Sequence, residues 1–177
     1  MPKKRIAIDM DEVMTDSIGR FIQLYQKEFN EDLSDLRLPG RTLDNTVPAD
    51  RLATVKHYPH QKDFFKDLDI KPGCQEVVKQ LQEQYEIYVV TAAMEFELCF
   101  TDKFDWLKQH LPFIPWTHIV FCGDKSIIGT DYLLDDSERN LKTFTGTPLV
   151  FTAPHNAHLT AYTRLNNWQE VADYFLK

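Results

Sequence analysis

The stretch Arg5-Ile6-Ala7-Ile8-Asp9-Met10-Asp11-Glu12-Val13 decides how the chain is read. Ile6, Ala7 and Ile8 form a short apolar run of the kind that makes a buried strand, and it ends abruptly in two carboxylates. In open α/β sheets ligands sit in the crevice past the carboxyl ends of the strands, where Asp9 and Asp11 would stand. Two acids that close repel one another unless a shared proton or a cation relieves them. Mg²⁺ does so with one or two carboxylates plus a substrate phosphate. A single Asp at such a turn is usually a cap, but the pair favours a metal.

The remaining composition is that of a globular domain. Its 177 residues, 43% hydrophobic and 27% charged, suffice for one domain with a sizeable core. A formal net charge of −7 argues against a nucleic-acid polymer as partner, because a phosphate backbone wants a basic face. It leaves room for a small phosphorylated ligand held through a metal and a few local cations. Cys74, Cys99 and Cys122 fit neither a CxxC pair nor an even disulfide framework, so buried, reduced thiols in a cytoplasmic protein are expected. Met1-Pro2-Lys3-Lys4-Arg5 is basic, but only three apolar residues follow before Asp9, so no signal peptide is expected. No apolar run reaches the roughly 20 residues of a membrane span.

Downstream, Ile18, Phe21, Ile22, Tyr25 and Phe29 predict an amphipathic helix over about 16–30. Residues 31–48 read as a loop-rich crossing, and a second helix is expected over Ala49–Tyr58, stopped by Pro59. With no strand-like alternation between 16 and 70, this segment reads as a small helical insert. From Pro72-Gly73 strands and helices alternate. Strands are expected at Ile87–Val90, His118–Cys122, Tyr132–Leu134 and Leu149–Phe151, with a long helix from Phe96 to Leu111. A last helix is expected from Asn167, with Glu170 completing a capping box. The rhythm implies an α/β fold with a parallel, doubly wound sheet.

Four predicted strand ends carry polar groups: Asp9 and Asp11, Thr91, Lys125 after a short turn, and Asp135-Asp136. Together they supply a nucleophile, a proton shuttle, a cation and donors for phosphate oxygens. In order and spacing they resemble the motifs of the haloacid dehalogenase-like (HAD-like) superfamily of phosphotransferases. Asp9-Met10-Asp11-x-Val13, Phe64-Phe65 before Pro72-Gly73, Asp124-Lys125 ahead of Leu133-Leu134-x-Asp136, and Phe151-Thr152-Ala153-x-His155-Asn156-x-His158 resemble the 5'(3')-deoxyribonucleotidase family. The last run is the most specific, since nothing in generic phosphatase chemistry demands it.

The resemblance implies a Rossmann-like core over 1–15 and 71–177, with a small helical cap over 16–70 inserted after the first strand. It implies Mg²⁺-dependent hydrolysis of (deoxy)ribonucleoside monophosphates through an aspartyl phosphate. Asp9 would be the nucleophile and Asp11 the acid and base. Mg²⁺ would be held by Asp9, the Asp11 main-chain carbonyl and Asp136, with Asp135 in support. Thr91, Ala92 and Lys125 would bind the phosphate. The alternatives are another small phosphomonoester, such as a sugar phosphate, or a non-catalytic nucleotide-binding protein of the same fold. A homodimer is compatible with the sequence, which leaves oligomeric state open.

The chain also departs from the family pattern. Glu12 stands where Gly is usual, a further negative charge beside the site. Ser17 and Gly40-Arg41-Thr42-Leu43-Asp44 replace aromatics of the animal members, which predicts weak discrimination among bases. Ala92-Ala93 replaces Ser-Pro, and Gly123 replaces Arg. His155 and His158 are expected to fix a loop by hydrogen bonds rather than to bind metal, and Trp106, Trp116 and Trp168 to serve in packing.

Overall fold

A computed structural model of the chain describes residues 2–177. At its centre six parallel strands run in the order β3-β2-β1-β4-β5-β6. They are β1 (Arg5–Ile8), β2 (Glu86–Thr91), β3 (Ile119–Phe121), β4 (Tyr132–Asp135), β5 (Thr147–Phe151) and β6 (Thr163–Leu165). Strand β1 is central, with Ile8 opposite Val89 on one side and Leu134 on the other. Being paired on both edges and covered on both faces, Ile6, Ala7 and Ile8 have no exposed surface. That explains a continuous apolar run where a half-exposed strand would alternate.

Side chains leave the strands on alternating sides and build two cores. On one face Ile6, Ile8, Ile87, Val89 and Leu134 meet α4 (Cys74–Gln84), α5 (Phe100–His110) and α7 (Trp168–Leu176) through Val78, Leu81, Leu107, Val171 and Phe175. On the other, Ala7, Val90, Leu133 and Val150 are covered by Leu141, Phe144 and Leu159. Leu141 belongs to the one-turn helix α6 (Glu138–Leu141). Each fully buried aliphatic side chain contributes about 1.5–3 kcal/mol.

Between β1 and α4 the named elements are helical, α1 (Ser17–Phe29), α2 (Leu43–Thr46), α3 (Ala49–His57) and two 3-10 turns, Ser34–Arg37 and Tyr58–His60, with isolated bridges pairing Thr15 with Asp11 and Ile70. Asp16 caps α1 by accepting from the Gly19 N–H at 3.0 Å, and Asn30 closes it in the left-handed region at φ 54°. The chain leaves and rejoins the sheet through two paired connectors. The Asp16 N–H donates to the Asp69 carbonyl at 2.9 Å and the Lys71 N–H to the Met14 carbonyl at 2.8 Å. Trp106 and Trp168 pack as expected and also hold these connectors, their indole N–H groups donating to the carbonyls of Leu68 (2.7 Å) and Val13 (3.0 Å).

Several elements differ from expectation. Strand β6 is not visible in the sequence because Thr163-Arg164-Leu165 has one apolar residue and pairs only with β5. The helix expected from Phe96 begins at Phe100, because Phe96 is extended (φ −127°, ψ 91°) between two 3-10 turns. Helices α2 and α6, four residues each, are too short to show a period. Trp116 is not a packing residue: at 77% exposure it stands in solvent on the turn before β3. All three cysteines are buried and unpaired. Among the described residues no helix is long and apolar enough to cross a membrane.

Candidate active site

The strand order reverses on either side of β1, and the crevice this opens lies past the carboxyl ends of β1 and β4. Asp9 enters it directly, its N–H donating to the Leu134 carbonyl at 2.9 Å so that the ladder runs one residue beyond β1. Asp135 ends β4 and Asp136 follows. The carboxylates of Asp9, Asp135 and Asp136 are buried, with one oxygen of each within 4.8 Å of the others.

Lys125 reaches into this group from the short turn after β3. Its ammonium, 1% exposed, donates to Asp9 Oδ1 and to Asp135 Oδ2, the latter at 2.7 Å. Burial opposes the ammonium, but Asp9 and Asp135 hold it well above the usual lysine range. Asp135 has no oxygen to spare: Oδ1 accepts from the Ser137 N–H (2.9 Å), Oδ2 from Lys125, and Asn140 Nδ2 donates to both at 3.1 Å. Its part is to hold Lys125. Asp9 and Asp136 are the members of the group that could hold a metal.

Three carboxylates face one ammonium here, and the excess charge shows in the acids. Burial pushes Asp9 up to about 7, against the pull of Lys125, with Asp135 and Asp11 adding to the rise. Burial likewise raises Asp136 well above the carboxylate range, reinforced by Asp135 and Asp9. An all-oxygen donor set with surplus negative charge fits a hard divalent cation such as Mg²⁺. Asp11 adds a further mark of an incomplete site: its Oδ1 is buried and has no hydrogen-bond partner among the described residues.

Asp11 Oδ2 is bound by Lys103 of α5, a residue the sequence reading passed over. The Lys103 ammonium, also 1% exposed, donates to Thr91 Oγ1 at 2.8 Å and lies 4.5 Å from the centroid of Phe65. A lysine on the buried side of α5, three residues before Trp106 and four before Leu107, was the signal available. Thr91 is fully buried beneath the pocket, with its hydroxyl engaged by Lys103, while Ala92 lines the pocket itself.

The pocket measures about 160 Å³ and is walled by Asp9, Asp11, Ala92, Lys125 and Asp136, with Glu95, Phe96, Ser137, Arg139 and Asn140 around the mouth. That is room for a phosphoryl group rather than a whole nucleotide. No wall residue comes from 16–70. Ser17 is buried and bonded to Glu12, and Arg41 and Thr42 bond to Asn45. Aromatic rings pack nearby instead: buried Phe65 lies 5.6 Å and exposed His60 5.0 Å from Phe96, and buried Phe64 stacks edge-on against Phe65 and Phe21.

Glu12 stands outside the pocket wall, although its charge adds to the rise of Asp136. Its backbone turns through the left-handed region at φ 57°, and its carboxylate accepts from Ser17 Oγ (2.8 Å), the Ile18 N–H (2.7 Å) and Lys71 (3.1 Å). There it serves the positive N-terminus of α1. His158 is exposed, whereas His155 Nε2 lies 3.3 Å from both the carbonyl and Oδ2 of Asp136.

Comparison with known proteins now decides the family. Residues 3–177 match the profile described as 5' nucleotidase, deoxy (pyrimidine), cytosolic type C protein. The chain belongs to this family. The 5'(3')-deoxyribonucleotidase of Bacillus subtilis is 36% identical over 172 residues, spanning 96% of each chain. A relative from Staphylococcus aureus is 41% identical over 176 residues, covering 99% of this chain and 97% of its own. Among solved structures, a HAD family hydrolase from Deinococcus radiodurans R1, crystallised with phosphate and sodium, superposes with a TM-score of 0.66 at 15% identity, covering 98% and 95% of the two chains. A haloacid dehalogenase-like protein from Streptococcus pneumoniae gives 0.62 at 13% identity over 98% of both. Family membership rests on the sequence relatives, and the shared fold on the structures.

Proposed function

We propose that the chain is a Mg²⁺-dependent phosphatase of (deoxy)ribonucleoside monophosphates that works through an aspartyl phosphate on Asp9. The observation that carries this is the convergence of Asp9, Asp11, Lys125 and Asp136 on one phosphate-sized pocket. Membership of the 5' nucleotidase family, and the name of the Bacillus subtilis relative, supply the substrate class.

Lys125 fixes Asp9 Oδ1, leaving Oδ2 without a hydrogen bond from any described residue. This carboxylate attacks phosphorus in line while the ester P–O bond breaks. Asp11 delivers a proton to the departing nucleoside oxygen, then takes one from the water that cleaves the acyl phosphate. Lys103 holds Asp11 in place through Oδ2. Asp9, the Asp11 carbonyl and Asp136 would hold Mg²⁺, which neutralises phosphate charge. Ala92 presents its amide to the phosphate, and Lys125 adds positive charge. Thr91, whose hydroxyl accepts from Lys103 and keeps its own proton to donate, binds a phosphate oxygen beside the Ala92 amide. Residues 16–70 close over the site as a cap on the core formed by 1–15 and 71–177.

The test is phosphate release from a panel of 5'- and 3'-deoxynucleotides, ribonucleotides and sugar phosphates, with Mg²⁺ and with EDTA. Turnover of nucleoside monophosphates, abolished by EDTA and restored by Mg²⁺, is expected. Preferential turnover of sugar phosphates, or undiminished activity in EDTA, would overturn the reading.

A further inference from the structure

The run Phe151-Thr152-Ala153-Pro154-His155-Asn156-Ala157-His158 plays no part in the chemistry above, yet two of its residues, His155 and Asn156, reach Asp136. Asn156 is 1% exposed, and both ends of its amide are fully used. Oδ1 accepts from the Ala153 N–H (3.2 Å) and Arg164 Nη1 (2.9 Å), and Nδ2 donates to the carbonyls of Phe151 and Asp136, each at 2.8 Å. Only this orientation of the amide satisfies two donors and two acceptors at once. Arg164 in turn binds the carbonyls of Asn156 (2.9 Å) and Leu159 (2.7 Å), so the loop is braced from β6. His155 Nε2 adds its 3.3 Å approaches to the carbonyl and Oδ2 of Asp136.

Asp136 needs such restraint. It follows the end of β4, and the nearby Asp9 and Asp135 carboxylates repel its own toward solvent. We propose that Asn156, assisted by His155, is a positioning residue that fixes Asp136 for Mg²⁺. The inference rests on the metal reading above. Asn156 and His155 do not line the pocket, and they act by holding the Asp136 carbonyl and carboxylate in place. Groups that orient a metal ligand typically alter affinity by about 10–100-fold when removed.

Calorimetric titration of Mg²⁺ into the full chain, without nucleotide, tests this on Asn156→Asp, His155→Leu and His155→Gln. Asn156→Asp keeps the shape but turns an acceptor toward two carbonyls. It should weaken Mg²⁺ binding about tenfold or more, with kcat recovering at saturating Mg²⁺ and KM for the nucleotide little changed. His155→Leu should weaken binding in the same direction, and His155→Gln, which keeps a donor, should restore it. Because His155 is half-exposed, that pair of variants carries the test if Asn156→Asp does not fold. Folded variants that bind Mg²⁺ like wild type, or a His155→Gln as impaired as His155→Leu, would overturn the inference alone. A wild-type chain that binds no Mg²⁺ would overturn both the inference and the metal reading beneath it.

Discussion

Lys103 and Lys125 share three acids of the site between them. Lys125 sits between Asp9 and Asp135, while Lys103 binds Asp11 and Thr91. Only Lys125 was legible in the sequence, because it follows a predicted strand end where a phosphate site needs a cation. Lys103 falls on a helix, where a lysine by default faces water, and only the folded register of α5 turns it inward. Because Lys103 is proposed to work solely through Asp11, their effects should not add. Lys103→Met should lower kcat/KM about 100-fold, within the range of general acid–base catalysis. On an Asp11→Asn background it should cost little more, as steady-state kinetics on the four folded proteins would show. Additive losses would separate the two residues. Glu12 shows the converse limit: its identity was plain from the sequence, but its direction was set by a left-handed backbone turn that periodicity does not encode.

At the scale of elements, strands were legible where burial on both sides imposes an apolar run, as in β1, β2 and β4. Edge strand β6 and the one-turn helices α2 and α6 carry no such signature. The segment after β2 is the consequential case. A continuous helix from Phe96 would carry that ring along α5, whereas the two 3-10 turns leave Phe96 on the pocket wall against Phe65 and His60. Phe96 and the exposed His60 are thus brought together over buried Phe65 from distant parts of the chain, which a search for a local aromatic stretch cannot find. If the base stacks there, Phe96→Ala should raise KM for nucleoside monophosphates about 10–100-fold, matching roughly 1–3 kcal/mol per stacked base. Turnover of a small phosphomonoester without a base should be little affected. Equal losses on both substrates would place the base elsewhere. The same loop-scale reading accounts for His155, which bonds to the loop around Asp136.

For the whole molecule, a parallel sheet gathers acids at the carboxyl ends of its strands, and the fold must tolerate their repulsion. Asp9 is raised from 3.8 to about 7, chiefly by burial, so between those values the folded chain holds a proton that the unfolded chain has lost. Stability contributed by that proton is present below the unfolded value and disappears as pH rises through about 7. In metal-free protein, Asp9→Asn should therefore gain in melting temperature relative to wild type as pH goes from 5 to 8. Mg²⁺ should raise the melting temperature of wild type more at pH 8 than at pH 5, because its ligands must be deprotonated. A wild-type and Asp9→Asn pair whose difference does not change with pH would contradict this assignment. The convergence of strand ends was visible in the sequence because hydrophobic runs announce strands and the residues just past them announce chemistry. The orientation of the Asp9, Asp11 and Asp135 carboxylates was not, because Lys103, Lys125 and Asn140, which bind them, arrive from other parts of the chain. The most direct test of the account is kcat/KM of folded Asp9→Asn on a nucleoside monophosphate with saturating Mg²⁺. A loss of at least about a thousandfold is predicted, as for removal of a covalent nucleophile; activity within about tenfold of wild type would contradict it.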